Sequence, residues 1–175
     1  MTLSFSRQIN GNPTYFMEKI WKGLKHLELC AELADASTNH GFDWDVFGEC
    51  PPKLHTIRWD KSDRWKAGNA IHMVINNRTP NRFQFLPEIK CTHVQAIEIK
   101  HINDKVDVYI DGNWFGDIWH HGLDDVYGYT ESIEVLAIND GFDSVEGFLQ
   151  WFNEDFTGKI IHWHEIKYNQ KTRNT

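Results

Sequence analysis

CTHVQAIEIKHINDKVDVYIDG, residues 91–112, is the stretch on which the fold class turns. In an extended chain Val94, Ala96 and Glu98 share one face, and Gln95, Ile97 and Ile99 share the other. Asn103, Asp104 and Lys105 then form a polar turn into a second strand pattern, VDVYIDG. Two extended runs joined by a short polar turn predict a β-hairpin and an antiparallel sheet. Working outward, TLSFSRQ, LHTIRW, AIHMVIN, RFQF and KIIHWHEIKY also read as extended segments. A helix is predicted over residues 13–24, with Asn12 as its cap, Pro13 at its first position and Phe16, Met17, Ile20, Trp21 and Leu24 as one buried stripe. A second is predicted over residues 144–155, with Asp143 and Glu146 as a capping box and Gly158 as the stop. KHLELCAELADA (residues 25–36) carries a weaker helical pattern, and residues 37–52 read as an irregular excursion. NWFGDIWHHGLDDVYGY (residues 113–129) shows neither period and reads as a long aromatic loop. The expected fold is α+β, a curved or closed, mostly antiparallel sheet with helices against its ends.

One domain with a real core suits 175 residues, of which 41% are apolar and 25% charged. Eight tryptophans most simply mean a large aromatic core. No apolar run approaches the roughly 20 residues needed to cross a bilayer. MTLSFSRQING lacks a basic stretch followed by an apolar one, so no signal peptide is expected. Cys30, Cys50 and Cys91 form no C-x-x-C pair. That sparse, odd set fits a reducing compartment and a cytoplasmic protein. The net charge of −7 argues against coating duplex DNA with a broad basic face. The charge is divided, however: residues 53–90 are rich in lysine and arginine, and residues 101–156 are strongly acidic. A local basic pocket and an electrostatic match between the two halves both remain open.

Within the basic half, KLHTIR (residues 53–58) sets Lys53 beside Thr56 and Arg58. Thr56 and Arg58 share a strand face, and the long Lys53 stem can reach over from the preceding turn. A hydroxyl next to an ammonium and a guanidinium suits an anion or a polar heterocycle. The plain alternative is a solvated turn paired with the acidic half. Trp59, Arg64 and Trp65 follow, so phosphate contacts and base stacking are both available on paper.

KLHTIR followed by RWKAGNAIHM resembles the ASCH family, a branch of the PUA-like β-barrels. CTHVQAIEI resembles its central strand, LAINDGFDSVEGFLQWF its late acid and capped helix, and LSFSRQINGNPTYFMEKIWKGL its first strand and helix. The resemblance covers residues 1–168 as a single domain. Residues 25–50 and 113–133 look like insertions, and residues 169–175 are expected to form a flexible tail. It implies a small barrel with a cleft beside the lysine–threonine loop, binding RNA or a modified nucleotide through Lys53, Thr56, Arg58, Trp59, Arg64 and Trp65. One branch of the family hydrolyses the acetyl amide of acetylated cytidine. By position, its lysine, threonine and acid would be Lys53, Thr56 and Asp140. Two positions depart from the pattern: Pro51 stands where a glycine is common, and Asp140 replaces a glutamate. In that chemistry Lys53 would activate Thr56, Asp140 would orient the ammonium, and backbone N–H groups of residues 56–58 would hold an oxyanion.

Ten histidines raise the question of a metal. His162 and His164 share a strand face, and His120 and His121 are adjacent, but no H-E-x-x-H helix or cysteine partner accompanies them, so structural histidines are expected. Asp124 and Asp125 read as part of a solvated loop. No metal and no cofactor is expected. A different reading makes the barrel a protein-docking scaffold, with DWDVF and NWFGDIWHHG meeting a partner protein.

Overall fold

A computed structural model describes residues 1–9, 11–24, 40–121 and 126–168. The architecture is α+β, with mostly antiparallel strands and a curled, half-barrel sheet. The predicted hairpin lies at its heart. Strand β8 (His93–Ile102) pairs with β9 (Lys105–Ile110), and Asn103 takes the positive φ that the tight turn requires. The main sheet has six strands. Past β9 come β10 (Asn113–His121) and β11 (Val126–Tyr129). On the other side of β8 come β12 (Phe156–His162) and β4 (His55–Arg58). The last strand in sequence is therefore inserted between two earlier ones.

A smaller sheet is built on β5 (Ala70–Ile75). Strand β1 (Thr2–Ser4) joins it in parallel, while β6 (Phe83–Gln84) and β7 (Ile89–Lys90) pair with it antiparallel. Residues 89–102 link the two sheets, because β7 runs directly into β8. A short hairpin, β2 (Gln8–Ile9) with β3 (Asn12–Pro13), precedes helix α1 (Phe16–Gly23). Helices α2 (Trp44–Glu49), α3 (Glu131–Asn139) and α4 (Val145–Trp151) complete the fold.

Strand alternation divides the interior into two cores. Ile161 of β12 joins Leu3, Phe5, Met73 and Phe85 of the small-sheet side and Ile20 and Trp21 of α1. Ile160, one residue earlier, faces the other way with Ile97, Ile99, Val108, Leu136 and Phe148 beneath α3 and α4. Adjacent residues thus serve opposite cores, as a two-residue side-chain period requires.

Several expectations are corrected. Helix α1 begins at Phe16 rather than Pro13, because Asn12 and Pro13 are spent on the β2–β3 hairpin and Tyr15 takes a left-handed conformation at φ 51°. Helix α4 ends at Trp151 and is capped by Ser144, whose Oγ accepts from the Gly147 N–H. Asp143 instead pairs with Lys19. Gly158 stops no helix: it lies within β12, where an added Cβ would stand 2.5 Å from the Arg58 carbonyl oxygen of β4. Residues 113–121 and 126–129 are strands rather than loop, since β10 and β11 extend the main sheet. A register shift between Trp114 and Gly116 puts Phe115 and Ile118 into the same core, which erases the two-residue alternation. Gly116 also lets α3 approach: a Cβ there would meet Ile133 at 2.9 Å. The 25–36 helical pattern, Asp124, Asp125 and the 169–175 tail lie outside the described residues. Among those described, no helix is long and apolar enough to cross a membrane.

Candidate functional site

Three segments converge on Lys53. Cys50, Pro51 and Pro52 end α2, since the residue before a proline avoids helical conformation, and they deliver Lys53 in extended chain. The Lys53 N–H donates to the Lys19 carbonyl at 2.9 Å, and the Leu54 N–H to that of Asn139 at 2.9 Å. These bonds tie the lysine segment to α1 and to the end of α3.

Asp140 caps α3 and turns back onto the loop. Its Oδ1 accepts from Lys53 Nζ at 3.0 Å and from the Ile57 N–H at 2.9 Å. Lys53 Nζ donates to the Asp140 backbone oxygen as well. The shorter acid therefore still reaches its lysine, because the helix end is brought to it. Lys53, Thr56 and Asp140 are 1%, 3% and 5% exposed. Burial pulls the Lys53 pKa down to about 8, against the attraction of Asp140. Burial acts to raise the Asp140 carboxyl, but Lys53 and His55 outweigh it and hold the group below its ordinary range.

Aromatic faces complete the surroundings. Lys53 Nζ lies 4.9 Å from the Phe16 ring centroid and 6.0 Å from that of Phe5. The Arg58 guanidinium is 5.2 Å from the same Phe5 ring and donates to the Ser4 carbonyl at 3.0 Å. Lys53 and Arg58 thus share the Phe5 ring. Thr56 sits on the Arg58 side of β4, opposite Ile161.

The remaining predicted residues separate. Trp59 is 70% exposed and Arg64 is exposed, but Trp65 is buried in the first core and its N–H donates to Asp60. Part of the basic loop is a solvated turn: Asp63 receives both Lys66 and Lys159. The backbone donors expected for an oxyanion are reduced, since Asp140 already occupies the Ile57 N–H. The two proposed docking segments also divide. Trp44 is half exposed, packed edge-on against Phe42 and Phe47, whereas Phe115 and Ile118 are core residues.

Sequence reasoning missed the polar groups behind Asp140. The pairing of β4, β12 and β8 sets His55, His162 and His93 in direct register, an imidazole ladder across three strands. His93 and His162 stack with centroids 4.0 Å apart, and His55 stands 5.2 Å from His162. His55 Nδ1 is 3.5 Å from Asp140 Oδ1, and its Nε2 is 2.7 Å from the Tyr168 hydroxyl. Asn139 donates to that hydroxyl oxygen at 3.0 Å, and His55 Nδ1 itself is buried without a hydrogen-bond partner among the described residues. Both ring nitrogens of His162 are buried without a hydrogen-bond partner. The only sequence signal was the H-x-H spacing of residues 162 and 164. Strand register, which a single strand does not reveal, supplies the rest. No group of three or more His, Cys, Asp or Glu side chains suited to a metal ion occurs among the described residues.

The lysine–aspartate pair underlies the wall of a small cleft of about 220 Å³ between the start of α1 and the α3–α4 connection. Asn12, Phe16, Lys19, Phe142, Gln150 and Trp151 line it, and Gly141 carries it to Asp140. Lys19 is buried, donating to the Gly141 carbonyl at 2.9 Å and to Asp143 at 2.6 Å. Trp151 is 51% exposed at the rim. Gly141 has φ +94°, and a Cβ there would stand 2.8 Å from Lys53 Cδ and 3.0 Å from Phe16. Gly141→Ala is expected to cost about 2–4 kcal/mol by combining backbone strain with a clash. A urea titration checks this, and a change below about 0.5 kcal/mol would contradict the packing described.

Comparison of the chain with known protein families, curated proteins and solved structures gives no match.

Proposed function

We propose that the protein binds a nucleotide or short single-stranded RNA by recognition, without turnover, and that the base enters the cleft rimmed by Trp151. The observation carrying this reading is the composition of that cleft: an indole half open to solvent, two phenylalanine rings, a buried ammonium and the amides of Asn12 and Gln150. A flat heterocycle with polar edges matches these groups. The volume, below the roughly 300–1,000 Å³ of larger ligand sites, suits one ring system. Lys53, Asp140 and Gly141 then act as the rigid support of the cleft. Trp59 and Arg64 are exposed on the loop after β4, while Arg58 is partly buried against Phe5.

The test is titration of intrinsic tryptophan fluorescence with nucleosides, acetylated cytidine among them, and with single-stranded RNA. Base–aromatic stacking contributes about 1–3 kcal/mol per base. Trp151→Ala is therefore expected to weaken binding about tenfold or more, with Trp151→Phe retaining most of it. A loss at Trp59→Ala with none at Trp151→Ala would move the site to the basic loop. Absence of binding to every probe would overturn the reading.

One observation favours a second reading, hydrolysis of an acylated cytidine-type nucleoside. A lysine with its pKa near 8, ion-paired with a buried carboxylate and three residues before a buried threonine, has the character of the base such a reaction uses. Burial of all three groups and occupation of the Ile57 N–H favour recognition. Acetate release from acetylated cytidine that Thr56→Ala abolishes would replace recognition by hydrolysis.

A further inference from the structure

The Trp151 cleft does not end at its own walls. It shares Pro13, Thr14 and Phe16 with a neighbouring hollow of about 450 Å³. That hollow shares Arg7, Gly41 and Ile75 with a third, of about 550 Å³. The three follow one another around the β2–β3 hairpin and the start of α1. The second and third hollows are each far larger than a single base needs.

Charge distinguishes the far end. The acids along the path are occupied by internal donors. Glu18 is buried and accepts from the Asp43 N–H at 2.9 Å, while Asp43 Oδ1 accepts from the N–H groups of Asp45 and Val46 that it caps. Asp143 is held by Lys19. The arginines are not matched in this way. Arg7 is exposed and, among the described residues, makes one hydrogen bond, to the Gly41 carbonyl at 3.2 Å. Arg82 is exposed on the turn after β5, and its guanidinium makes no ion pair among the described residues. Both face the third hollow, where Asn76 and Asn81 add amide donors. Guanidinium groups with free forks, set among amides, fit phosphate oxygens better than any uncharged group.

We propose that this third hollow takes a backbone phosphate of the same ligand whose base occupies the Trp151 cleft. The ligand is then a single-stranded oligonucleotide rather than a free nucleoside. This assignment rests on the recognition reading above and adds a second point of attachment to it. A nucleoside fills the cleft alone and brings no anion to either guanidinium; a chain several nucleotides long engages both ends.

The experiment compares wild type with Arg7→Ala/Arg82→Ala. The probes are the four common nucleosides, acetylated cytidine and single-stranded RNA octamers of the same bases, at 50 and 200 mM salt. Wild type is expected to bind the best octamer at least tenfold more tightly than the best nucleoside. The double variant is expected to lose that advantage, to leave nucleoside affinity unchanged and to flatten the salt dependence by about 1.4 in log–log slope, the value for two phosphate contacts on a single strand. Both arginines are exposed, so an unchanged melting temperature verifies the fold. If the double variant binds octamers with wild-type affinity and slope while Trp151→Ala still weakens them, the phosphate assignment is wrong and recognition at the cleft stands. If no nucleoside and no octamer binds wild type, the recognition reading falls and takes this one with it.

Discussion

Asp140→Ala is expected to destabilise the protein by about 3–5 kcal/mol, the usual penalty for stranding one partner of a buried ion pair. The substitution removes the carboxylate from a lysine that is 1% exposed and, in the same step, the acceptor of the Ile57 N–H. In a chain of 175 residues this lowers the melting temperature by roughly 10 °C, at about 2–4 °C per kcal/mol. Lys53→Met should also be costly, because Asp140 would keep its charge without its ammonium. Lys53→Met combined with Asp140→Asn is expected to recover at least half of the combined loss, since neither charge then remains and the amide oxygen can still accept from Ile57. Thermal melts of Lys53→Met, Asp140→Asn and the double variant provide the cycle. Additive losses, or a cost below 1 kcal/mol for Asp140→Ala, would show that the two groups do not depend on each other.

Acid should unfold the protein well above the range in which carboxylates titrate. Burial holds His162 down to about 2 from an ordinary value of 6.5. Burial also lowers His55, against the pull of Asp140. In the unfolded chain both rings take up protons near pH 6.5, whereas in the folded protein His162 stays neutral and His55 takes up its proton less readily. The unfolded state therefore binds more protons below that pH, and stability falls as the pH falls. Neutral His162 costs about 2 kcal/mol between pH 7 and pH 5, from the limiting slope of about 1.4 kcal/mol per pH unit. This alone should lower the melting temperature by roughly 5 °C across that interval, and the lowered His55 adds a loss of the same sign. The lowered pKa of Asp140 adds a loss of the same sign only below about pH 4. His162→Phe is expected to flatten the slope and to be tolerated at neutral pH, because the ring has no hydrogen bond to lose. A melting temperature that stays flat from pH 7 to pH 5 would rule out neutral burial of the ladder.

The fold was legible wherever one element obeyed one period. Ile97 and Ile99 alternate cleanly into the second core, and β8 and β9 pair as their residues suggest. Legibility failed where two elements decide a residue together. Phe115 and Ile118 look aperiodic because a register shift and the approach of α3 at Gly116 set their directions. Asn12 and Pro13 match a helix start by local preference, yet the hairpin with Gln8 and Ile9 claims them. Within the site, the meeting of Lys53 with Asp140 across 87 positions followed from matching residues to a motif. His55, His162, Lys19 and Trp151 could not be found in that way. Their roles come from cross-strand register and from the turn between α3 and α4, which are properties of the assembled sheet and not of any one segment.

The position of β12 bears on how the chain is made. It is last in the sequence yet lies between β8 and β4, pairing with both. During synthesis β4 emerges roughly a hundred residues before its hydrogen-bonding neighbour, and one side of β8 waits as well. Until residue 162 has left the ribosome, neither core can close, since Ile160 belongs to one and Ile161 to the other. Two unpaired strand edges then stay open together, a state prone to edge-to-edge association. A nascent chain arrested before residue 156 is therefore expected to depend on chaperones, whereas one that extends past residue 162 can pair β12 with both of its neighbours.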